Sequence, residues 1–472
     1  MYRLLPSWLL IAFVLLAAAP STAAAENGTR VSDLRWDVAG DVASITMRVS
    51  GPVRYRTAAS ARTITLDLWS ASVEAEHSAP VDRGVASAVA LRQVAPGIVR
   101  LEVSLRERSR FKVYSRDDRM TLKVFPESQG TVPLPQSVSY RSIQVATGAG
   151  RAKAHVVTID PRAPGLEVRP ALSGDVISST ERTSTAATRL EAFAAINASF
   201  YSGYSGLGLP VGLIVIDGRV LSAPLPRRPI FAMDASGRPW IGSAEFSGRI
   251  VLENGAEVPI SAINRPPRFG GVALYTPEYG PFTAPQAFIV IVREDRVVGI
   301  SSGRPAIPHD GYALATAASQ RFLLEGLTRG QPVKLQMALT PPSIRHALQG
   351  GPRLVQNGQV HVPYHWEGFG PAFYRARVAR SAIGVTESGK VLFVTVEQGK
   401  RARSRRNRIT GMSLGELAAF MRALGARDAL NLDGGGSATL VVGGRIVNAL
   451  PRGERTVSAT LMAVPRPIEK TP

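Results

Sequence analysis

Between residues 30 and 125, apolar side chains recur at every second position in short runs broken by turns. That alternation admits one kind of element. Ile45-Thr46-Met47-Arg48-Val49 and Thr63-Ile64-Thr65-Leu66-Asp67-Leu68 each place their apolar groups on one face, as a half-buried strand requires. The segment also repeats itself: Val49 followed by Tyr55 and Leu66 corresponds to Val103 followed by Phe111 and Leu122. Each half reads strand, turn, aromatic strand, turn, strand. Two such units bury their inner faces against each other as a small β-sandwich. With no cluster of His, Asp or Glu in it, the segment reads as a binding module.

At 472 residues the chain exceeds what one hydrophobic core supports, so two or more domains are expected. Residues 126–140 are rich in Pro, Ser and Gly and read as a linker. Beyond it the texture changes. Ala154-His155-Val156-Val157-Thr158-Ile159, Val211-Gly212-Leu213-Ile214-Val215-Ile216 and Val391-Leu392-Phe393-Val394-Thr395-Val396 read as strands. A helix is predicted from Ser413, capped by Ser413 and Glu416 as a capping box. Leu414, Leu417, Phe420, Met421 and Leu424 line its inner face, and Gly425 suits its end. The expected fold is a mainly β N-terminal sandwich over 30–125 plus an α+β catalytic domain over 141–466.

Residues 1–25 read as an export signal: Arg3, an apolar stretch from Trp8 to Ala19, then Ala23-Ala24-Ala25. The apolar stretch is short for a bilayer span, so no transmembrane anchor is expected once the signal is cleaved. The expected location is secreted, periplasmic or associated with the cell envelope. Cysteine is absent, which excludes disulfides, thiolate metal sites and a Cys nucleophile. The formal charge is +20, and a field of that sign concentrates polyanions. Outside a cell those are phosphate-bearing glycans, wall polymers and lipid headgroups. The densest basic run, Lys400-Arg401-Ala402-Arg403-Ser404-Arg405-Arg406-Asn407-Arg408, reads as a grip for a polyanion or as a solvated loop. It has no interleaved aromatic residue on which bases could stack, so nucleic acid is not expected as a partner.

The residues that point to chemistry follow the predicted helix. Asp428-Ala429-Leu430-Asn431-Leu432 reads as a strand and runs into Asp433-Gly434-Gly435-Gly436-Ser437. Three consecutive glycines remove every Cβ from the turn, so backbone N–H groups can converge on an anion or a sugar beside the Asp433 carboxylate. A tight hairpin capped by Asn and Asp is the bland alternative, but hairpins seldom need three glycines.

Asn431-Leu432-Asp433-Gly434-Gly435-Gly436-Ser437-Ala438-Thr439 resembles the signature of the phosphodiester glycosidase family, which includes the lysosomal uncovering enzyme. Ala195-Ile196-Asn197-Ala198-Ser199-Phe200, Gly350-Gly351-Pro352-Arg353-Leu354 and Arg380-Ser381-Ala382-Ile383-Gly384 resemble three further blocks of that family, in the expected order, so the likeness spans about residues 140–466. Two departures stand out. Ser199 replaces a usual Gly, and Glu397-Gln398-Gly399 stands where relatives carry Asp-Gly. The two halves of residues 30–125, most clearly Arg62–Leu68 and Val85–Val124, resemble the AMIN domain, which implies an envelope or peptidoglycan ligand.

The resemblance implies hydrolysis of a sugar 1-phosphodiester in a cell-envelope glycan, such as an exopolysaccharide, with an anionic phosphorylated sugar as substrate. Cleaving a sugar C1–O bond passes through an oxocarbenium-like state that carboxylates stabilise or trap. Asp433 and Glu397 are the expected carboxylate pair, without assignment of nucleophile and base. Arg380, whose planar fork matches a phosphate, is the expected anion ligand, and Asn197 is expected to hold a sugar or phosphate oxygen. Gly350, Gly351, Gly434, Gly435, Gly436, Ser437 and Thr439 are the expected substrate contacts. No cofactor or metal is expected. His361 and His365, with Glu367 nearby, are spaced like a helical zinc pair, but Pro363 between them breaks the helix. The competing class is a non-catalytic protein that binds cell wall or anionic polysaccharide.

Overall fold

The computed structural model describes residues 29–466 except 52, 61, 108, 127–131, 203–207, 268–269 and 399–409. The expected signal segment and the basic run 400–408 therefore lie outside the described residues. So does most of Pro126–Gly130.

Residues 29–126 form two five-stranded sheets around one core that includes Ile45, Met47, Leu66, Leu101, Val103, Met120 and Leu122. Period-two alternation is visible directly in Val42–Val49, where every second side chain is buried. The two halves do not face each other as separate units. Thr29–Ala39 and Val42–Val49 from the first half share a sheet with Ser109–Arg116 and Arg119–Pro126 from the second. Arg54–Ala59 and Thr63–Trp69 pair in the other sheet with Ile98–Leu105 and Ala86–Ala95. Exchanging hairpins this way buries both inner faces and gives each half's strands partners from the other half.

The C-terminal region begins at Val138, inside the expected linker, because Val138–Thr147 pairs along its whole length with Gly150–Ile159. The α+β expectation is corrected here. The described residues are 55% strand and 9% helical, and α-helix among them is limited to Thr183–Arg189, Pro371–Arg375 and Leu414–Ala423. Short strands closed by tight glycine and Asx turns leave little uninterrupted sequence in which a helix could nucleate.

One seven-stranded sheet organises the candidate site. Its order is Val138–Thr147, Gly150–Ile159, Val391–Val396, Arg380–Thr386, Ala426–Asn431, Arg353–Gln356, Gln359–Val360. One face packs on the helix Leu414–Ala423 through Ala382, Val394, Leu417 and Met421. The other packs, through Ile383, Phe393, Leu430 and Leu432, on a five-stranded sheet that holds Ala194–Asn197 and Ala459–Pro465. The capping box forms as predicted: the Glu416 backbone N–H donates to Ser413 Oγ, and the Ser413 N–H donates back to the Glu416 carboxylate at 2.9 Å. A second seven-stranded sheet, built from segments between Glu245 and Thr340, packs around a core that it shares with the smaller sheet of Ile214–Ile216, Ile230–Asp234 and Ile344–Gln349. The sandwich docks on this region through the Lys112–Glu191 ion pair and a 2.7 Å hydrogen bond between Ser70 Oγ and His309 Nδ1. No helix among the described residues is long and apolar enough to cross a membrane.

Candidate active site

Asp433 leaves the sheet just past the end of Ala426–Asn431, the fifth of its seven strands. Ala382 pairs with Asn431 across the antiparallel ladder, so the register brings the start of Arg380–Thr386 alongside Asp433 and Gly434. The glycines are what permit this approach. A Cβ on Gly434 would sit 2.9 Å from the Ala379 carbonyl oxygen and 3.6 Å from the Arg380 Cα. One on Gly436 would sit 2.6 Å from the Arg455 guanidinium carbon. Gly435 takes φ +61°, the left-handed region where glycine carries no Cβ penalty.

Most of the turn's amides are committed within the protein. Gly434 N–H donates to Asp433 Oδ1 at 3.0 Å, Gly435 N–H to the Ala379 carbonyl at 2.7 Å, and Ser437 N–H to the Gly434 carbonyl at 3.2 Å. Two of the three glycine donors expected to converge are thus occupied. The glycines also let the turn lie against the Ala379–Arg380 backbone and the Arg455 side chain. Burial is the largest influence on the Asp433 carboxyl and raises its pKa, against the opposing Ser437 hydroxyl, the Gly434 N–H and the Arg455 charge.

Arg380 is 1% exposed. Its Nε donates to the Met412 carbonyl at 3.0 Å, and its Nη2 donates to those of Phe373 at 3.1 Å and Ala376 at 2.6 Å. Among the described residues no carboxylate forms an ion pair with it. Burial alone lowers its pKa, to about 10, so at neutral pH the guanidinium stays charged without a counter-ion. Carbonyls orient it but do not neutralise it.

Asn197 is fully buried, and its amide is engaged by the fold. Nδ2 donates to the Asp433 carbonyl at 2.6 Å, while Oδ1 accepts from Ser381 Oγ at 2.7 Å and Thr439 N–H at 3.0 Å. The side chain thereby ties its own strand, the strand Arg380–Thr386 and the Thr439 backbone to the glycine turn. Thr439 enters this latch through its backbone. Asn197→Ala removes one donor and one doubly used acceptor from a dry environment, so a loss of about 2–4 kcal/mol is expected. Urea unfolding checks this, and an unchanged midpoint would show the latch to be dispensable.

Glu397 goes elsewhere. It is 3% exposed. Its Oε1 accepts from the Ala449 N–H at 2.8 Å and lies 2.7 Å from His155 Nε2, whose Nδ1 meets Tyr140 Oη at 2.8 Å. Burial raises the Glu397 pKa, but His155, the Ala449 N–H and Lys153 outweigh it and hold the pKa below the usual range. Neither Asp433 nor Glu397 is among the groups that shift the other. The expected pair is not brought together: register directs Glu397, one residue past the strand Val391–Val396, to the opposite layer.

A different carboxyl takes the vacant role. Glu367 is 4% exposed, and burial pushes its pKa up to about 7 against the Arg353 N–H and the charges of Arg353 and Arg228. The Arg353 N–H lies 3.1 Å from both carboxyl oxygens. Gly351, at φ +138°, makes room for it: a Cβ there would sit 3.0 Å from Glu367 Oε2. Gly351 N–H donates to the Asn431 carbonyl at 2.7 Å, and Asn431 Nδ2 donates back to the Gly351 carbonyl at 2.8 Å. Gly350 packs on the same strand end, where a Cβ would meet the Asn431 oxygen at 2.6 Å. Glu367 and Asp433 therefore flank the Asn431 end of one strand.

Phe200, Phe369 and Phe373 line this region, with ring centroids 5.1–6.2 Å apart. Arg228 lies over Phe369 at 4.2 Å and Arg380 over Phe373 at 5.1 Å. Two buried polar atoms beside the site, Ser199 Oγ and Asn431 Oδ1, have no partner in the protein. Such orphaned groups mark places where an outside polar group is required.

Glu367, Arg228, Phe369, Phe373 and Arg455 were not among the expected site residues. Glu367 drew notice only beside His361 and His365, which are exposed and lie in no helix; the residue that makes room for its carboxyl, Gly351, belongs to another segment. Among the described residues one trio, Glu167, Asp217 and His346, brings metal-binding atoms within 4.8 Å of one another. Arg169 and Arg345 already pair with its carboxylates, and His346 Nε2 lies 3.0 Å from Glu167 Oε1. It reads as an ion-pair network.

Residues 286–464 match the phosphodiester glycosidase family. No curated protein sequence matches the chain. A solved structure of a hypothetical protein from Synechocystis shares the fold at a TM-score of 0.63 and 23% identity, covering 93% of this chain and 81% of that one. A second, from Burkholderia pseudomallei and provisionally named an exported protein, has a TM-score of 0.57 at 21% identity, covering 93% and 97%. The zebrafish N-acetylglucosamine-1-phosphodiester alpha-N-acetylglucosaminidase catalytic domain aligns at a TM-score of 0.42 and 14% identity, covering 70% and 85%.

Proposed function

We propose that this protein hydrolyses a sugar 1-phosphodiester at the C1–O bond, in a glycan of the cell envelope. One observation carries the reading: Arg380, a buried guanidinium with no carboxylate partner among the described residues, and Asp433, a desolvated carboxyl, arise from neighbouring ends of two paired strands. An anion supplied from outside completes such a site, and a phosphate oxygen suits the Nη1 donors that the carbonyls on Nε and Nη2 leave over. The family match over residues 286–464 supports the same class of substrate.

In this mechanism the phosphate occupies Arg380, with Arg228 as a second cation, and the sugar lies against Phe200 and Phe369. The C1–O bond breaks with its electron pair on the phosphate oxygen. Glu367, protonated below its pKa of about 7, gives its proton to that oxygen, and Asp433 faces the positive charge developing at C1. Water adds to C1 and gives a proton to Asp433; Asp433 then releases that proton to solvent and Glu367 takes one up, which restores both groups. The products are the free sugar and a phosphate monoester.

The N-terminal pattern around Arg3 and Trp8–Ala19 supports export, as does the designation of the Burkholderia pseudomallei protein of the same fold. We assign the sandwich an envelope-glycan ligand on its resemblance to AMIN modules. Hydrolysis in ¹⁸O-labelled water tests the bond cleaved: the label is expected in the sugar. Label in the phosphate would overturn C–O cleavage, and absence of hydrolysis across a panel of sugar 1-phosphodiesters would favour a non-catalytic wall-binding protein.

A further inference from the structure

A second positively charged cavity lies between the two folded parts of the chain. It has a volume of about 430 Å³. The sandwich contributes Ser109 and Arg110, and the C-terminal region contributes Arg182, Thr188, Arg445 and Thr456. Its lining carboxylate, Glu181, is already neutralised by Arg189 at 2.8 Å. Arg110 uses Nε on the Pro126 carbonyl at 3.1 Å. Among the described residues no carboxylate forms an ion pair with Arg182 or Arg445. The cavity thus presents cations and hydroxyls beside an apolar portion that includes Ala59 and Ile446, a lining that suits the charged groups, hydroxyls and ring faces of an anionic glycan, and it has no aromatic side chain on which a base could stack.

Its position relative to the glycine turn gives it meaning. Arg182 pairs with Thr456 in a two-stranded ladder, and the residue before Thr456 is Arg455, whose guanidinium packs on Gly436 and acts on Asp433. From the other side, Ser437 and Gly444 are joined by the strand Leu440–Val442, a path that spans at most about 25 Å. Cationic side chains therefore run from the reacting carboxyl to the interdomain cavity.

We propose that this cavity is a subsite for the anionic continuation of the substrate, a phosphate-bearing glycan, and that the sandwich builds it with Arg110. The inference rests on the glycosidase reading for its link to the reacting centre, although binding itself does not need turnover.

The test uses full-length protein and the double variant Arg182→Ala/Arg445→Ala. Two probes are compared: a sugar-phosphate oligomer of several repeats, and a methyl sugar 1-phosphodiester too short to reach the cavity. Calorimetric Kd values for the oligomer are measured in an Asp433→Asn background, and kcat/KM is measured for both probes. The double variant is expected to weaken oligomer binding by about tenfold or more, with a shallower salt dependence and kcat/KM for the short diester unchanged. Unaltered oligomer affinity overturns the subsite while leaving the glycosidase reading intact, and so does an equal loss on the short diester. Should neither probe be hydrolysed while oligomer binding still depends on the two arginines, the subsite stands and the glycosidase reading falls.

Discussion

Asp433→Asn is expected to lower kcat by about 10²–10⁴-fold while leaving the protein folded. The geometry explains why the two effects separate. The contacts that hold the turn in place come from its backbone: the Asp433 N–H donates to the Ala198 carbonyl at 3.1 Å, and the Asp433 carbonyl accepts from Asn197 at 2.6 Å. Asparagine keeps both and can still accept the Gly434 N–H through its amide oxygen. Burial disfavours the Asp433 anion, so removing its charge relieves a penalty and the folded state should lose nothing at neutral pH. What disappears is the negative charge facing C1. Steady-state turnover and a thermal melt, measured together, check both halves. Full turnover in a folded variant would remove Asp433 from the mechanism.

Glu367→Gln should cut kcat by a similar factor and change the pH dependence of both rate and stability. The Glu367 pKa is raised by burial to about 7, from an ordinary value of 4.5. A carboxyl whose folded pKa is raised contributes stability that is fully present below about pH 4.5. That contribution is lost as the pH climbs through about 7, because the unfolded chain releases its proton first. The whole change amounts to about 3 kcal/mol at 1.36 kcal/mol per pKa unit. Glutamine does not titrate and still offers an acceptor to the Arg353 N–H. The variant should therefore match the parent near pH 4.5, exceed it by up to about 3 kcal/mol at pH 8, and lose the fall in kcat that the parent shows above pH 7. A parental pH–rate profile in the variant would show that another group supplies the proton.

The two substitutions probe carboxyls of different legibility. Asp433 stands in a local pattern, a strand end followed by three glycines, and chemistry so compact can be read without knowing the fold. Glu367 has no such neighbourhood. Its carboxyl lies against Gly351, and its cationic surroundings come from Arg353, at the start of a strand, and from Arg228, in a loop far away in sequence. Glu397 shows the converse. It ends an apolar strand in the right region and invites pairing with Asp433, yet the antiparallel register sends its side chain to His155.

By itself the sequence determined the strands of the sandwich, the capped helix at Ser413 and the Asp433 turn, because each depends on side chains within a few residues of one another. It also singled out Arg380 and Asn197, whose bonds to the rest of the protein only the fold shows. Only the tertiary structure decided that the two sandwich halves exchange hairpins, that the C-terminal region is mostly β, and that Asn197 latches the turn together. It also decided that Glu367, not Glu397, comes to the Asp433 strand end. Period and turn chemistry are local and survive in the one-dimensional pattern. Sheet register and desolvation depend on which distant strands become neighbours, and that is settled only when the chain buries its cores.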